Sequence, residues 1–335
     1  MQFQLPISIK KSDQQITYRD SIFLIGSCFT EHIGNSLAEV KLSVFQNPSG
    51  ILFNPLSVCE TLNAVIQNKK VEENNLFQLN EVWHSWKHHS RFSHVDKNVA
   101  LNNINTSLSE AHNFLKEADW LIITLGSAFC YRLSENAQLA NLSIGDGVAN
   151  CHRAPASWFN KELLEIDEIN VLLVDLHKQV KDFNSKLKII FTISPVRHAR
   201  DGVVENNRSK ARLIESVHSM LTKFDSLYYF PSYELMIDVL RDYRFYDIDL
   251  VHPNYMATEF VLNKFVETFM SDEQLSLMEE LKKISIARKH KPFHSSTSAH
   301  QEFLRAQREK IISLLQRYPY LNLQEELNYF NASSF

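Results

Sequence analysis

The chain has 335 residues, of which 44% are hydrophobic and 22% charged, with a formal net charge of −4. That is room for one large α/β domain, or a domain with an appendage, of ordinary globular composition. The charge balance excludes a basic nucleic-acid surface, and no apolar run reaches the length of a membrane span. The four cysteines, Cys28, Cys59, Cys130 and Cys151, form no CxxC pair, and the opening "MQFQLPISIKKSDQQ" lacks the apolar core of a secretory signal. A cytoplasmic protein with reduced thiols is the expectation.

In chain order, "SIFLIG" (21–26) reads as a buried strand, followed at once by a helix over 30–40 with Thr30 as a candidate N-cap. "LSVFQNPSGILFNPLS" holds a short strand and a loop, and a helix runs from about Pro55 to Gln67, with proline in its first turn. The aromatic and histidine-rich stretch 75–94 reads as a hairpin; its His84 and His88 would suit a metal only on a helix, so no metal site is expected. A helix over 101–118 precedes a second strand, "DWLIITLG" (119–126). A helix over 167–184, a third strand over 187–195, a helix over 206–224, a fourth strand over 226–230 and a helix over 231–240 follow. This alternation predicts a parallel sheet covered by helices on both faces. From about Asp272 the pattern becomes helical without strands, with Leu304, Ile311, Ile312 and Leu315 recurring at helical spacing. The expected organisation is an α/β domain over 1–271 and a helical extension over 272–335 packed on it.

Binding sites of such sheets lie beyond the carboxyl ends of the strands. Those ends carry Gly26-Ser27-Cys28, Gly126-Ser127, Ser194 to Arg197 and, further on, Asp249 and His252. Only seven glycines occur in the chain, so Gly26, Gly50 and Gly126 beside these stretches each mark a candidate backbone constraint. The turn in "FLIGSCFTEHIG" offers two nucleophiles, Ser27 and Cys28. In "DLVHPN", a carboxylate three residues before a histidine can fix its tautomer and stabilise the imidazolium formed when it takes a proton. Asn150 and His152 in "ANCHRAP", with Arg197 in "SPVRHARDG", are candidate substrate-binding residues, since arginine clamps carboxylates and phosphates.

Taken together, "GSCFT", "NPSGILFNP", "NCHRAP", "SPVRHARDG" and "RDYRFYDIDLVHP" resemble the GSCFA family, within the SGNH/GDSL hydrolase superfamily, over about residues 20–335. Thr30 stands where the fifth letter of that signature is alanine. The resemblance implies a three-layer, flavodoxin-like SGNH fold and a cofactor-independent esterase, thioesterase or acyltransferase. It places Cys28 at the nucleophile position and Ser27 at a variable one; both remain candidates, with His252 as base and Asp249 orienting it. A thiol beside a helix N-terminus and near an imidazole is expected to ionise more readily than a free one. Gly50 is the candidate loop donor to an oxyanion. The superfamily's asparagine after the later strand glycine is missing, for Gly126 is followed by Ser127, so Ser127, or an asparagine from elsewhere such as Asn54 or Asn150, is the candidate replacement. The expected partner is a small-molecule or glycan acyl substrate, with no nucleic acid, membrane or metal and no indication of oligomeric state. A degenerate protein that binds a glycan or acylated metabolite without turnover is the alternative, and a scaffold whose C-terminal helices recruit a partner is a further one.

Overall fold

The computed structural model describes residues 7–137, 143–294 and 296–332; the chain ends and part of the N-terminal stretch read above therefore lie outside the described residues. Apolar runs make the principal strands: β1 (Ser21–Gly26) leads into helix α1 (Cys28–Glu39), then β2 (Ser43–Gln46) and α2 (Pro55–Ile66). A hairpin of β3 (Phe77–Leu79) and β4 (Val82–His84) precedes α3 (Lys97–Glu117) and β5 (Trp120–Leu125). Next come β6 (Phe129–Leu133), β7 (Gly147–Val148) and β8 (Phe159–Leu163), then α4 (Ile166–Phe183), β9 (Lys188–Ile193), α5 (Val203–Lys223) and β10 (Leu227–Phe230). A one-turn helix α6 (Ser232–Glu234) continues as a π-helical segment, Leu235–Leu240, and α7 (Tyr255–Phe269) follows.

Five strands form a central sheet in the order β10-β9-β5-β1-β2, with the β10–β9, β9–β5 and β5–β1 pairs parallel. Numbered among themselves these strands read 2-1-3-4-5, the flavodoxin-like order. Phe23, Ile25, Leu121, Ile123, Phe191 and Ile193 pack into one core with Val58, Leu62, Ile104, Leu108, Leu173, Leu176, Leu213 and Val217 from α2 to α5. The alternate residues Ile22, Leu24, Trp120, Ile122 and Ile190 are buried as well. A sheet covered on both sides is why these strands are near-continuous apolar runs. Each such side chain contributes about 1.5–3 kcal/mol relative to exposure.

Three local expectations change. Helix α1 begins at Cys28, so Thr30 lies inside it, buried and with no partner for its hydroxyl among the described residues, rather than capping it. Strands β7-β6-β8 form a separate antiparallel sheet with no counterpart in the sequence reading. The chain from Ser232 leaves α-helical geometry after one turn.

The chain divides into two compact units: one holds Ser21–Gly34 and Phe45–Leu262, the other Ile9–Asp20, Asn35–Val44 and the chain from Asn263 onward. In the second unit, α8 (Asp272–Lys289), α9 (Ser298–Arg317) and α10 (Gln324–Ala332) bury Leu277, Leu281, Ile284, Leu304, Ile311, Leu314 and Phe330. Ile312 is exposed, so the apolar stripe of α9 runs through Leu314 rather than through Ile312. Glu326, buried here, accepts from Lys41 at 2.7 Å and Arg288 at 2.8 Å. Burial raises its pKa, and these cations more than offset that, holding the carboxyl below its ordinary range.

Candidate functional site

Strands β1, β5 and β9 end level: Gly26 pairs with Thr124, and Thr124 with Thr192. At Gly26 the backbone turns with φ +147°, and a Cβ there would lie 2.2 Å from the Thr124 carbonyl oxygen. Only glycine fits that approach. Asn47 fixes the turn from the side: its Oδ1 accepts from Gly26 N–H at 2.8 Å, and its Nδ2 donates to Glu31 at 3.1 Å. Ser27 N–H donates to the Thr124 carbonyl at 3.3 Å, and Leu52 N–H to the Gly26 carbonyl at 3.0 Å.

The two candidate nucleophiles separate here. Ser27 is 4% exposed, and its hydroxyl donates inward to Ser194 Oγ at 3.0 Å. Cys28 is partly exposed at the first residue of α1, with its sulfur in reach of the backbone N–H groups of Phe29 and of Cys28 itself. Those groups open a helix and have no carbonyl one turn earlier to satisfy them. Burial nonetheless pushes the Cys28 thiol above its ordinary value. The two N–H groups and Lys210 pull it down, and Glu31 adds to the rise. The expected lowering is therefore not what the resting turn produces: desolvation outweighs the helix terminus.

Beyond β9, the Asp249–His252 loop is organised by one carboxylate. Asp249 Oδ1 accepts from the backbone N–H of Val251 at 2.9 Å and of His252 at 3.0 Å, and Oδ2 accepts from His252 Nδ1 at 2.6 Å. Leu250 takes the left-handed φ of +57° that this tight loop requires. The three donors hold the Asp249 carboxyl at about 2, the His252 backbone bond first, then its ring, then Val251. An ionised Asp249 at Nδ1 fixes the proton there and leaves Nε2 with its lone pair, the tautomer a general base needs. Both side chains are open to solvent, at 45% and 42%. Among the described residues, no hydrogen bond joins His252 to Cys28 or Ser27.

The other sequence candidates have definite places. Gly50 N–H donates to the Asn47 carbonyl at 2.8 Å, closing a turn in which Gly50 has φ +85° and a Cβ would strike His89. Ser127 is buried, its hydroxyl 3.2 Å from Ser209 Oγ and accepting from Phe129 N–H at 3.1 Å. Asn54 caps α2 by accepting from Ser57 N–H at 2.8 Å. Arg197 stacks its guanidinium on Tyr246 at 4.2 Å, while its backbone N–H donates to the Val251 carbonyl at 3.2 Å; it braces the His252 loop. Asn150 and His152 belong to the hairpin side. Asn150 Oδ1 accepts from His152 N–H at 2.9 Å, and the His152 ring bonds the Ser85 carbonyl at 2.8 Å through Nε2. No hydrogen bond among the described residues ties either to the Cys28 turn or to the His252 loop.

The model of the GSCFA family matches residues 21–265, and a second, described as GSCFA domain protein, C-terminal domain, matches 281–333. The chain belongs to the GSCFA family. Curated proteins give no match. Among solved structures, an acetyl xylan esterase (Est2A) from the rumen bacterium Butyrivibrio proteoclasticus is similar at TM-score 0.38 and 11% identity, over 78% of this chain and 66% of that one. The match thus spans just under two thirds of that protein, and likeness this low carries no conclusion about activity.

In this GSCFA chain the first four letters of the signature are the turn itself, Gly26 to Phe29, and Thr30 sits buried beneath it. Three further residues complete the site without having been singled out as site residues in the sequence. Asn47 is the side-chain acceptor for Gly26. His198 packs on Phe53 at 4.8 Å between centroids; burial, then the field of Lys210, holds it neutral at about 4, with His252 among the smaller contributors. Lys210, 1% exposed, donates to the carbonyls of Gly126 at 2.5 Å and Ser194 at 2.7 Å. In sequence, "NNRSKARLIES" reads as an ordinary charged helix face, and only the phase of Lys210 with Leu213 and Val217 signals burial.

Proposed function

We propose that this chain is an SGNH-type hydrolase, an esterase or thioesterase, or an acyltransferase of the same chemistry, with Cys28 as nucleophile, His252 as base and Asp249 as its anchor. The observation that carries the reading is the 2.6 Å bond from His252 Nδ1 to an ionised Asp249, which leaves Nε2 free. The contrast between a buried, bonded Ser27 and a partly exposed Cys28 favours the sulfur. In the reaction the Cys28 thiol proton passes to His252 Nε2 as sulfur bonds to the acyl carbonyl carbon. The carbonyl π electrons move to oxygen, and the N–H groups of Cys28 and Phe29 are the available donors for that oxyanion. Collapse breaks the bond to the leaving alkoxide or thiolate, which takes the proton from His252. Water or an acceptor hydroxyl, deprotonated by His252, then bonds to the acyl carbon; the carbon–sulfur bond breaks and the proton on His252 returns to the Cys28 sulfur. A panel of p-nitrophenyl esters and acyl thioesters tests this: turnover that Cys28→Ala and His252→Ala abolish supports it, and turnover indifferent to both overturns it.

A second reading is a non-catalytic member that binds a glycan or acylated metabolite. It is favoured by the fact that Gly50 N–H, the Ser127 hydroxyl and Asn54 Oδ1 already have intramolecular partners. Ligand binding without turnover by wild-type protein distinguishes it. The helical extension over 272–335 and the cytoplasmic location belong to the same proposal; no helix among the described residues is long and apolar enough to cross a membrane.

A further inference from the structure

We propose that Lys210 is a positioning residue for Cys28: its amine, buried beneath the ends of β1, β5 and β9, becomes the counter-charge of the sulfur when the thiol ionises. The inference deepens the reading of Cys28 as nucleophile and rests on it for its use in turnover. The charge coupling itself is measurable without a substrate.

The geometry comes first. Lysine is seldom buried without a carboxylate, yet among the described residues Lys210 Nζ has two carbonyl partners, Gly126 and Ser194, and no acidic one. Both carbonyls belong to the strand-end loops that flank the Cys28 turn, and Ser194 also bonds Ser27, the residue before Cys28. Two carbonyls satisfy a neutral amine's two N–H groups; an ammonium has a third, which has no acceptor among the described residues. The other titratable groups facing this amine are few. Tyr233, whose ring lies 5.7 Å away, and His198 are both kept neutral by burial. Glu31, which faces Cys28, is engaged by Arg91 at 2.7 Å and by Asn47. Cys28 is therefore the group left to exchange charge with Lys210. Burial lowers Lys210 to about 7 and Cys28 raises it, while Lys210 lowers Cys28. Such coupling is reciprocal, so a thiolate at Cys28 favours the ammonium and a thiol favours the neutral amine. A buried amine that titrates near neutrality and gains charge as the sulfur loses its proton accounts for a nucleophile whose resting thiol is held high.

Two measurements test this. The pH profile of Cys28 alkylation by iodoacetamide, followed by peptide mass, should shift upward in Lys210→Met, with alkylation roughly tenfold slower at pH 7. If that variant does not fold, the amine can be observed directly in the unmodified sequence: the Lys210 side-chain NMR titration of wild-type protein should move to lower pH in Cys28→Ser. Matching shifts support the pair. An unchanged alkylation profile in folded Lys210→Met, or a Lys210 titration indifferent to Cys28→Ser, overturns it. Both shifts observed in a wild-type protein that turns over no ester or thioester would instead count against the proposed enzyme and leave the pair standing.

Discussion

The turn that carries Cys28 is tied from beneath by buried bonds from Asn47, Thr124, Leu52 and Ser194, whereas the loop that carries His252 stands in solvent and is organised chiefly by one carboxylate. The first is part of the core of the sheet end; the second is a short polar structure with little apolar burial. Sequence changes in the framework of the turn, Cys28 itself apart, should therefore register as stability, and changes in the loop as chemistry. Substitutions that separate the two readouts sharpen this comparison, and any that fail to do so break it.

The largest effect is expected in the loop. Asp249→Asn keeps the shape of the side chain but loses the anion that fixes the His252 tautomer, so acyl-transfer rate should fall about 10³- to 10⁴-fold. Because the loop is exposed, the melting temperature should stay within a few degrees of wild type. A mutant that unfolds, or one that turns over normally, would contradict the division of labour.

In the turn the order reverses. Gly26→Ala places a Cβ 2.2 Å from a backbone oxygen at φ +147°, which should cost roughly 3 kcal/mol or more in urea denaturation. Equal stability would mean that the strand ends can separate, and that the turn is not the rigid half of the site.

Acid should act on buried histidines, two on the hairpin side and one near the strand ends. Burial holds His88, His152 and His198 at about 4, against 6.5 in an unfolded chain. Between those values the unfolded chain binds more protons. The stabilisation is therefore complete above about pH 6.5 and is lost as pH falls towards 4, by roughly 3 kcal/mol for a group as buried as His88. Urea midpoints at pH 7.5 and 4.5 measure it; a flat profile would mean that these rings are hydrated in the native state.

The strand ends were legible in the sequence because the runs at 21–26, 119–126 and 187–195 are apolar and each stops at a glycine or proline. Topology alone then brings Gly26, Gly126, Ser194 and Asp249 towards one edge of the sheet. Helix α1 was misplaced by two residues because neither Ser27 nor Cys28 reads as the point where backbone geometry changes. The β7-β6-β8 sheet was missed since β7 is two residues long and β8 exposes Asn160, Lys161 and Glu162. Lys210 was passed over for a different reason: its phase with Leu213 and Val217 signals burial, but the two carbonyls that receive its amine are distant in sequence. In the extension the expected stripe holds at Leu304 and Ile311, which are buried, and fails at Ile312, which is exposed. Leu314→Ala should cost about 2–4 kcal/mol and Ile312→Ala no more than about 0.5, a contrast that thermal denaturation resolves.

The smallest structural difference carries the largest functional claim, namely one residue between Ser27 and Cys28. Incubating wild-type protein with a p-nitrophenyl ester, quenching in acid and mapping the acylated peptide by mass spectrometry tests it most directly. The account predicts an acyl adduct on Cys28, lost in Cys28→Ala and retained in Ser27→Ala. An adduct on Ser27, or turnover with no covalent adduct and full activity in Cys28→Ala, would contradict it.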